Sequence, residues 1–411
     1  MKTTLVICLL SAAVACAADR PPAGLLDSSF QSRIGFDSNP LGTSGTSAAI
    51  LGGENTLTYS AGLSLTLALI SANPAQPALK LMYTGDMTRF DRWSGENFST
   101  HRFGFNGKFT AGVWKFTGDG SSLLVAGSRD TLLSVPTINA NAIPLWRERR
   151  RQWQHRLKLQ TQAEFGAWLV RSTGTLLSND YQTNVVAGRV AFSDRTDVQG
   201  ALDLGWKQSG SSLWFVGVRT GHQTQAIIPL PNCEFEYSNL YDRLAVGWEG
   251  QPFAHTTVTL FAGPDFRHYS GAIDSRVFLN GRNRTSLWFE ATITSQITPV
   301  LTLTGKAVRM AWLSSTGKSA YIDTCAETAA TLTLSSAWSL RLTAKVHRND
   351  YFPAIRDDWE SLVGAGASWK LSKRTVVTLD LLRHRAWNNL PALPERQFQR
   401  AVINLGATIK L

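Results

Sequence analysis

Hydrophobic residues recur at every second position through most of this chain. From Thr56 to Ile70, Leu57, Tyr59, Ala61, Leu63, Leu65, Leu67 and Leu69 alternate with Thr58, Ser60, Gly62, Ser64, Thr66 and Ala68. A period of two is that of a β-strand with one apolar face, and this stretch is long enough to cross an apolar layer of about 25 Å. Gln152 to Phe165 repeats the pattern with charge on the second face: Trp153, Leu157, Leu159, Ala163 and Phe165 against Gln154, Arg156, Lys158, Gln160, Gln162 and Glu164. A buried sheet face does not hold that second set, whereas a water-filled interior does.

The C-terminal half is the most regular. Leu287, Phe289, Ala291 and Ile293 oppose Trp288, Glu290, Thr292 and Thr294, and Leu340, Leu342, Ala344 and Val346 oppose Arg341, Thr343, Lys345 and His347. In the last stretch Ala401, Ile403, Leu405, Ala407, Ile409 and Leu411 share a face up to the final residue. Such a strand needs both a neighbour and an apolar layer. A closed barrel in a membrane supplies the two together, because lipid covers the apolar face and pairing of the last strand with the first removes the open edge.

Between strands, short turns at Gly250 to Phe253, Ile297 to Val300, Ser336 to Ser339 and Leu371 to Arg374 alternate with longer polar segments at Ser128 to Arg150, Ile228 to Leu240, Gly271 to Arg284 and Asn388 to Arg396. Short turns on one side and long loops on the other fit a bacterial barrel with periplasmic turns and external loops. Counting from Phe30 to Asp37 predicts about 18 strands, with about 16 as the alternative, because Lys80 to Arg92, Leu123 to Gly127 and Asn184 to Arg195 are poorly phased. The fold class expected is an all-β transmembrane antiparallel barrel over residues 30–411 without a plug domain. The competing fold is a soluble all-β solenoid, propeller or lectin-like sandwich.

The first residues set the compartment. Lys2, an apolar run from Leu5 to Val14 and small residues at Ala13, Ala15, Ala17 and Ala18 read as a secretory signal over residues 1–18, with 19–29 a short periplasmic segment. Cys16 raises a lipoprotein alternative, which Ala13 disfavours where a bulky residue is usual. No later run reaches ~18 apolar residues, so no transmembrane helix is expected. A mean hydropathy of -0.09 fits a barrel, since only alternate residues meet lipid. The 14 Trp and 19 Phe supply candidates for aromatic girdles at the two interfaces.

Charge and side-chain chemistry narrow the function. The formal charge is +11, and an exported basic protein faces anionic solutes, acidic polysaccharide or lipopolysaccharide phosphates rather than nucleic acid. Of the four Cys, Cys233 and Cys325 outlast signal cleavage; they form either one bridge or two separate thiols, and no metal-ligand spacing occurs. No GxSxG, HExxH or P-loop is present, and Gly364-Ala-Gly-Ala-Ser lacks what a dinucleotide site needs. His347 reads either as a base or as a solvated interior histidine. Neither an enzyme nor a cofactor nor a metal is expected.

The candidate interior charges are Arg156, Lys158, Arg341 and Lys345, with Glu164 and Glu290 as opposed acids that would set a transverse field. Trp146-Arg-Glu-Arg-Arg-Arg151 closes a long loop. Its Arg147, Arg149, Arg150 and Arg151 form either an anion-attracting patch at a pore mouth or a band snorkelling to lipopolysaccharide phosphates.

Two resemblances add to this. The tail, with Asn404, Gly406, Ile409 and Leu411, resembles the C-terminal signal that outer-membrane barrels present to the assembly machinery, though it ends on Leu rather than Phe or Trp. Ile34-Gly-Phe-Asp-Ser-Asn-Pro40 resembles the opening of a group of Gram-negative outer-membrane proteins classed as putative β-barrel porins (type 2), some found near exopolysaccharide export genes. Arg348-Asn-Asp-Tyr351, Asp358-Trp359 and the turn at Lys373-Arg374 are similar to that group as well. The resemblance implies an outer-membrane barrel, monomeric or trimeric, with a porin-like role for small solutes or an export-associated role without conductance, and it carries over no catalytic residue.

Overall fold

The computed structural model describes residues 24–40, 55–70, 79–127, 134–135, 143–144, 151–182, 185–186, 189–190, 193–226, 228–230, 233–235, 237–270, 283–314, 320–352, 356–389 and 397–411. An 18-stranded antiparallel sheet closes on itself. Its strands are β1 (Gly24–Asp37), β2 (Thr56–Ile70), β3 (Leu79–Phe90), β4 (Phe98–Ala111), β5 (Trp114–Ala126), β6 (Gln152–Phe165), β7 (Trp168–Tyr181), β8 (Arg195–Ser209) and β9 (Ser212–Gln225). The second half comprises β10 (Asn239–Phe253), β11 (Thr256–Tyr269), β12 (Asn283–Thr298), β13 (Leu301–Leu313), β14 (Ala320–Thr333), β15 (Trp338–Phe352), β16 (Arg356–Lys370), β17 (Thr375–Asn388) and β18 (Phe398–Lys410).

Each strand pairs with its neighbours in sequence, and β18 pairs with β1 from Phe30 with Ile409 to Asp37 with Val402. This is the closure the tail predicts, and the strand number matches the larger of the two counts. At the seam Arg400 donates to Asp37 at 2.6 Å, and the Asn39 side-chain amide donates to the Gln399 carbonyl at 3.0 Å. Because the first and last strands pair, the sheet has no free terminal strand, and along the closed rows the backbone groups are satisfied within the wall.

Four expectations about boundaries change. β1 begins at Gly24, not Phe30; a register shift between Leu25 and Asp27 breaks the alternation that would have marked the start. Gly250 to Phe253 is not a turn but the irregular end of β10, where a register shift accommodates Pro252, and the chain reverses at Ala254-His255. His255 takes the left-handed conformation the reversal requires, with φ 61°. β15 already begins at Trp338, inside the Ser336 to Ser339 turn expected from sequence. The poorly phased Lys80 to Arg92 and Leu123 to Gly127 regions contain β3 and the end of β5.

One ladder stops short. β12 and β13 pair from Thr298 with Leu301 up to Phe289 with Arg309; above that row Asn283–Trp288 has no partner on β13. The upper end of β13 turns into the barrel instead. There the Ala311 carbonyl accepts from Gln223 of β9 at 3.2 Å and the Leu313 carbonyl accepts from Arg195 of β8 at 2.6 Å. Strands four and five places apart in the wall therefore touch, and the upper barrel is pinched between β8 and β13.

Candidate functional site

Side chains that reach over intervening strands identify the concave face. Arg171 of β7 donates to both oxygens of Glu249 of β10, at 2.7 and 2.9 Å, and Tyr241 of β10 donates to Asp197 of β8 at 2.8 Å. The residues of opposite phase point outward. At the short-turn end they form an aromatic row in which Phe165 pairs with Trp168, Trp168 with Trp206, Trp206 with Trp214 and Trp214 with Trp248. Farther round, Trp338 and Trp369 stack at 5.5 Å. Near the loop end Trp359 and Trp387 stack at 6.0 Å, with Arg348 and Arg385 lying 5.5 and 5.4 Å from their rings. Between the two levels lie exposed aliphatics such as Leu342, Val363, Leu381, Ile403 and Leu405. An apolar band bounded by aromatics, on a closed sheet, is a lipid-facing wall. The chain is an outer-membrane β-barrel.

This architecture places it in the outer membrane of a Gram-negative bacterium. No helix among the described residues is long and apolar enough to cross a membrane.

The inside of the barrel has two unlike regions. Where β13 turns in, the wall from β7 to β12 is covered. Arg219, Arg243 and Arg267 are buried there with Asp203 and Asp265, the last fully. Arg219 lies 3.1 Å from Asp203, and Arg243 and Arg267 lie 3.2 and 3.0 Å from Asp265. Amides complete the network: Arg243 donates to Gln199 at 2.9 Å, and Arg267 to Gln223 at 2.8 Å and Asn239 at 3.0 Å.

Aromatic faces back these cations. Arg219 lies 4.8 Å from the Phe261 ring and 4.9 Å from Trp288, while Arg243 and Arg267 lie 4.4 and 4.6 Å from Tyr241. Glycine makes room for the rings. A Cβ at Gly221 would come within 2.3 Å of Tyr241, and one at Gly247 within 2.3 Å of Phe261. Leu169, Phe215, Ala245, Phe261 and Trp288 form the apolar floor of this lobe, and Met310 of the inturned β13 packs against it. Above, Tyr237 and Tyr269 cluster with Ala311, Leu313, Ala320, Ile322 and Phe352, and Arg284 stands 3.7 Å over the Phe352 ring.

Elsewhere on the inner face the charged side chains are less buried among the described residues. Arg156 and Lys158 of β6 and Arg341 of β15 are exposed on the inner face, and Lys345 of β15 is half-buried. The register puts Arg102 of β4 and Lys306 of β13 on the same surface, both exposed. None of these six forms an ion pair with another described residue. The inner carboxylates likewise without an ion pair among the described residues include Asp119, Glu290, Glu327 and Asp380. β4 to β6 and β13 to β15 lie on opposite sides of the ring of strands, so the two cation groups face each other across the lumen.

The structure thus brings Arg156 and Lys158 together on one wall and Arg341 and Lys345 on the other. Glu164 shares a strand with Arg156 and Lys158 rather than opposing them, and it is clamped at the short-turn end by Lys115 at 2.7 Å and by Lys207. Glu290 sits on β12 beside the pinch, exposed inward. Arg147, Arg149 and Arg150 lie outside the described residues; Arg151 is half-buried and its carbonyl accepts from the Gln182 amide at 2.9 Å. Asn404 and Gly406 face inward, while Ile409 and Leu411 are exposed outward. Cys325 is a free thiol.

Sequence reasoning missed Arg102 and Lys306. Both were within reach of phase alone, since Phe103, Phe105 and Phe109 fix the outward face of β4 and Leu301, Leu303 and Ala307 that of β13.

No family model matches the chain, and no curated protein matches it. Solved outer-membrane proteins resemble it in outline. Pseudomonas aeruginosa OccK2 (OpdF), in complex with glucuronate, is 11% identical with a TM-score of 0.44, covering 95% of this chain and 98% of its own. Pseudomonas aeruginosa OpdK with vanillate is 9% identical with a TM-score of 0.44, covering 95% and 99%. OmpT of Vibrio cholerae is 10% identical with a TM-score of 0.33, covering 96% and 100%. The barrel assignment rests on the strand pairing itself.

Proposed function

We infer that the protein is a porin-like channel that passes small solutes by diffusion with a preference for anions. The observation that supports this is the pair of facing cation groups, Arg102, Arg156 and Lys158 against Lys306, Arg341 and Lys345, none of them neutralised by an ion pair among the described residues. Cations lining a water-filled passage raise the local anion concentration and lower the barrier for anions relative to cations. Glu164 contributes little opposing field, because two lysines hold it. Reconstitution in planar bilayers tests the reading. It predicts conductance and an anion-selective reversal potential under a salt gradient; absence of conductance or a cation-selective wild type rejects it.

A second reading is favoured by the pinch. If the inturned β13 and the external loops fill the lumen, the barrel is a structural or polysaccharide-associated protein without conductance. Absent conductance together with glycan retention that is lost on loop deletion would establish it.

Within either reading, the outward arginines Arg383 and Arg385, both exposed, meet lipopolysaccharide phosphates at the outer leaflet. Co-purified lipid A should fall in an Arg383→Gln, Arg385→Gln variant; unchanged lipid rejects that contact. Asn404 to Leu411 serves as the signal to the assembly machinery, so a chain lacking it should fail to insert; normal insertion of the truncated chain would refute this.

A further inference from the structure

β14 and β15 are joined by the short turn around Leu334 to Ala337, and their register sets Cys325 directly opposite His347. Both point into the lumen, as does Asp323, the next inward residue above Cys325 on β14. The Cys325 sulfur lies 3.5 Å from His347 Nε2, and His347 Nδ1 lies 3.2 Å from Asp323 Oδ1. Nucleophile, base and orienting carboxylate are therefore in line. Asp323 accepts from Nδ1–H and so fixes the tautomer whose Nε2 is free to take the thiol proton. All three side chains are partly exposed to the interior, just below the pinch.

We propose that Cys325 is a nucleophilic thiol of the lumen wall, activated by His347 and Asp323, that captures small disulfide-bearing solutes as mixed disulfides. In the step, His347 Nε2 takes the thiol proton and the thiolate attacks one sulfur of the solute disulfide. A new bond forms between that sulfur and Cys325, the original sulfur–sulfur bond breaks, and the departing thiolate takes the proton back from the imidazolium. The disulfide is itself the oxidant, so no further reagent is needed.

The site is built for capture rather than for turnover by acyl transfer. Hydrolysis through a thioester needs donors aimed at an oxyanion, and backbone N–H groups are the usual source. Here the backbone on both sides of Cys325 is engaged in ladders to β13 and β15. The charges facing the pair are Lys306 on β13, Glu327 on β14, Lys345 on β15 and Glu360 on β16, opposite His347. Asp323 holds the His347 ring with Nε2 turned toward the Cys325 sulfur.

The test uses the full barrel refolded in detergent, carrying Cys233→Ser and lacking the signal segment, with the aromatic disulfide dithiobis(nitrobenzoate) as probe and release of its coloured thiolate as readout. At pH 6 an unassisted thiol is about 1% or less in the reactive form. The barrel should react at least about tenfold faster than its His347→Gln variant at that pH, with Asp323→Asn between them, and the three rates should converge at about pH 9, where any thiol ionises. Cys325→Ser should release nothing. Equal rates at pH 6 in the barrel and its His347→Gln variant would overturn the proposal, as would a thiol that reacts only after unfolding. The assay needs no conductance, so it stands or falls separately from the channel reading.

Discussion

The covered lobe between β7 and β12 and the open wall of β4 to β6 carry the same residue types in the same phase, yet they make different use of them. Arg219, Arg243 and Arg267 are inward residues of a barrel strand, as are Arg102 and Arg156. In the lobe each arginine is buried against carboxylates, amides and aromatic faces, while on the open wall the arginines are exposed. Burying a charge is costly unless it is paired and hydrogen-bonded, whereas a solvated lumen cation needs no partner and keeps its field for passing ions. The lobe shapes the passage, and the open wall acts on what moves through it.

The largest effect expected follows from removing the shared carboxylate of the lobe. Asp265→Asn leaves Arg243 and Arg267 buried without their common counter-ion, at a cost of about 3–5 kcal/mol. Denaturant unfolding of the refolded barrel measures it, and an unchanged midpoint would mean that the lobe is wetter than its burial indicates. Next is Gly221→Ala, whose methyl would lie 2.3 Å from the Tyr241 ring. Displacing that ring from Asp197 should destabilise by about 1–3 kcal/mol in the same experiment.

The open wall should behave in the opposite way. Arg156→Gln with Lys158→Gln should leave stability within about 0.5 kcal/mol while lowering anion preference. A large stability loss would erase the distinction between the two regions. The smallest effect separates them by salt. Between about 0.1 M and 1 M the screening length falls from about 10 Å to about 3 Å, so selectivity should decay while the buried pairs of the lobe are little affected, read from reversal potentials and unfolding midpoints at both concentrations.

What the sequence made legible was whatever depends on phase. Alternation identified the strands, the lipid face and the pairing of Ala401 to Ile409 with β1, and it put Arg156, Lys158, Arg341 and Lys345 inside. Phase does not report depth of burial. Arg243 and Arg156 look alike along the chain, and only the interrupted β12–β13 ladder, with Gln223 and Arg195 binding carbonyls 88 and 118 residues distant in sequence, separates them. The Gly250 to Phe253 error has a local cause, since Gly and Pro mark bulges as well as turns. The Cys325–His347 pairing was recoverable in principle, because the two residues lie equally far from the β14–β15 turn. Reading each residue singly concealed it.

The most direct measurement is the reversal potential of single channels under a salt gradient, for wild type and for the variant in which Arg156, Lys158 and Lys345 are all changed to Gln. The wild type should be anion-selective and the variant close to non-selective at unchanged fold. A wild type without conductance, or a variant with the wild-type potential, would contradict the claim that the open cation wall governs what this barrel passes.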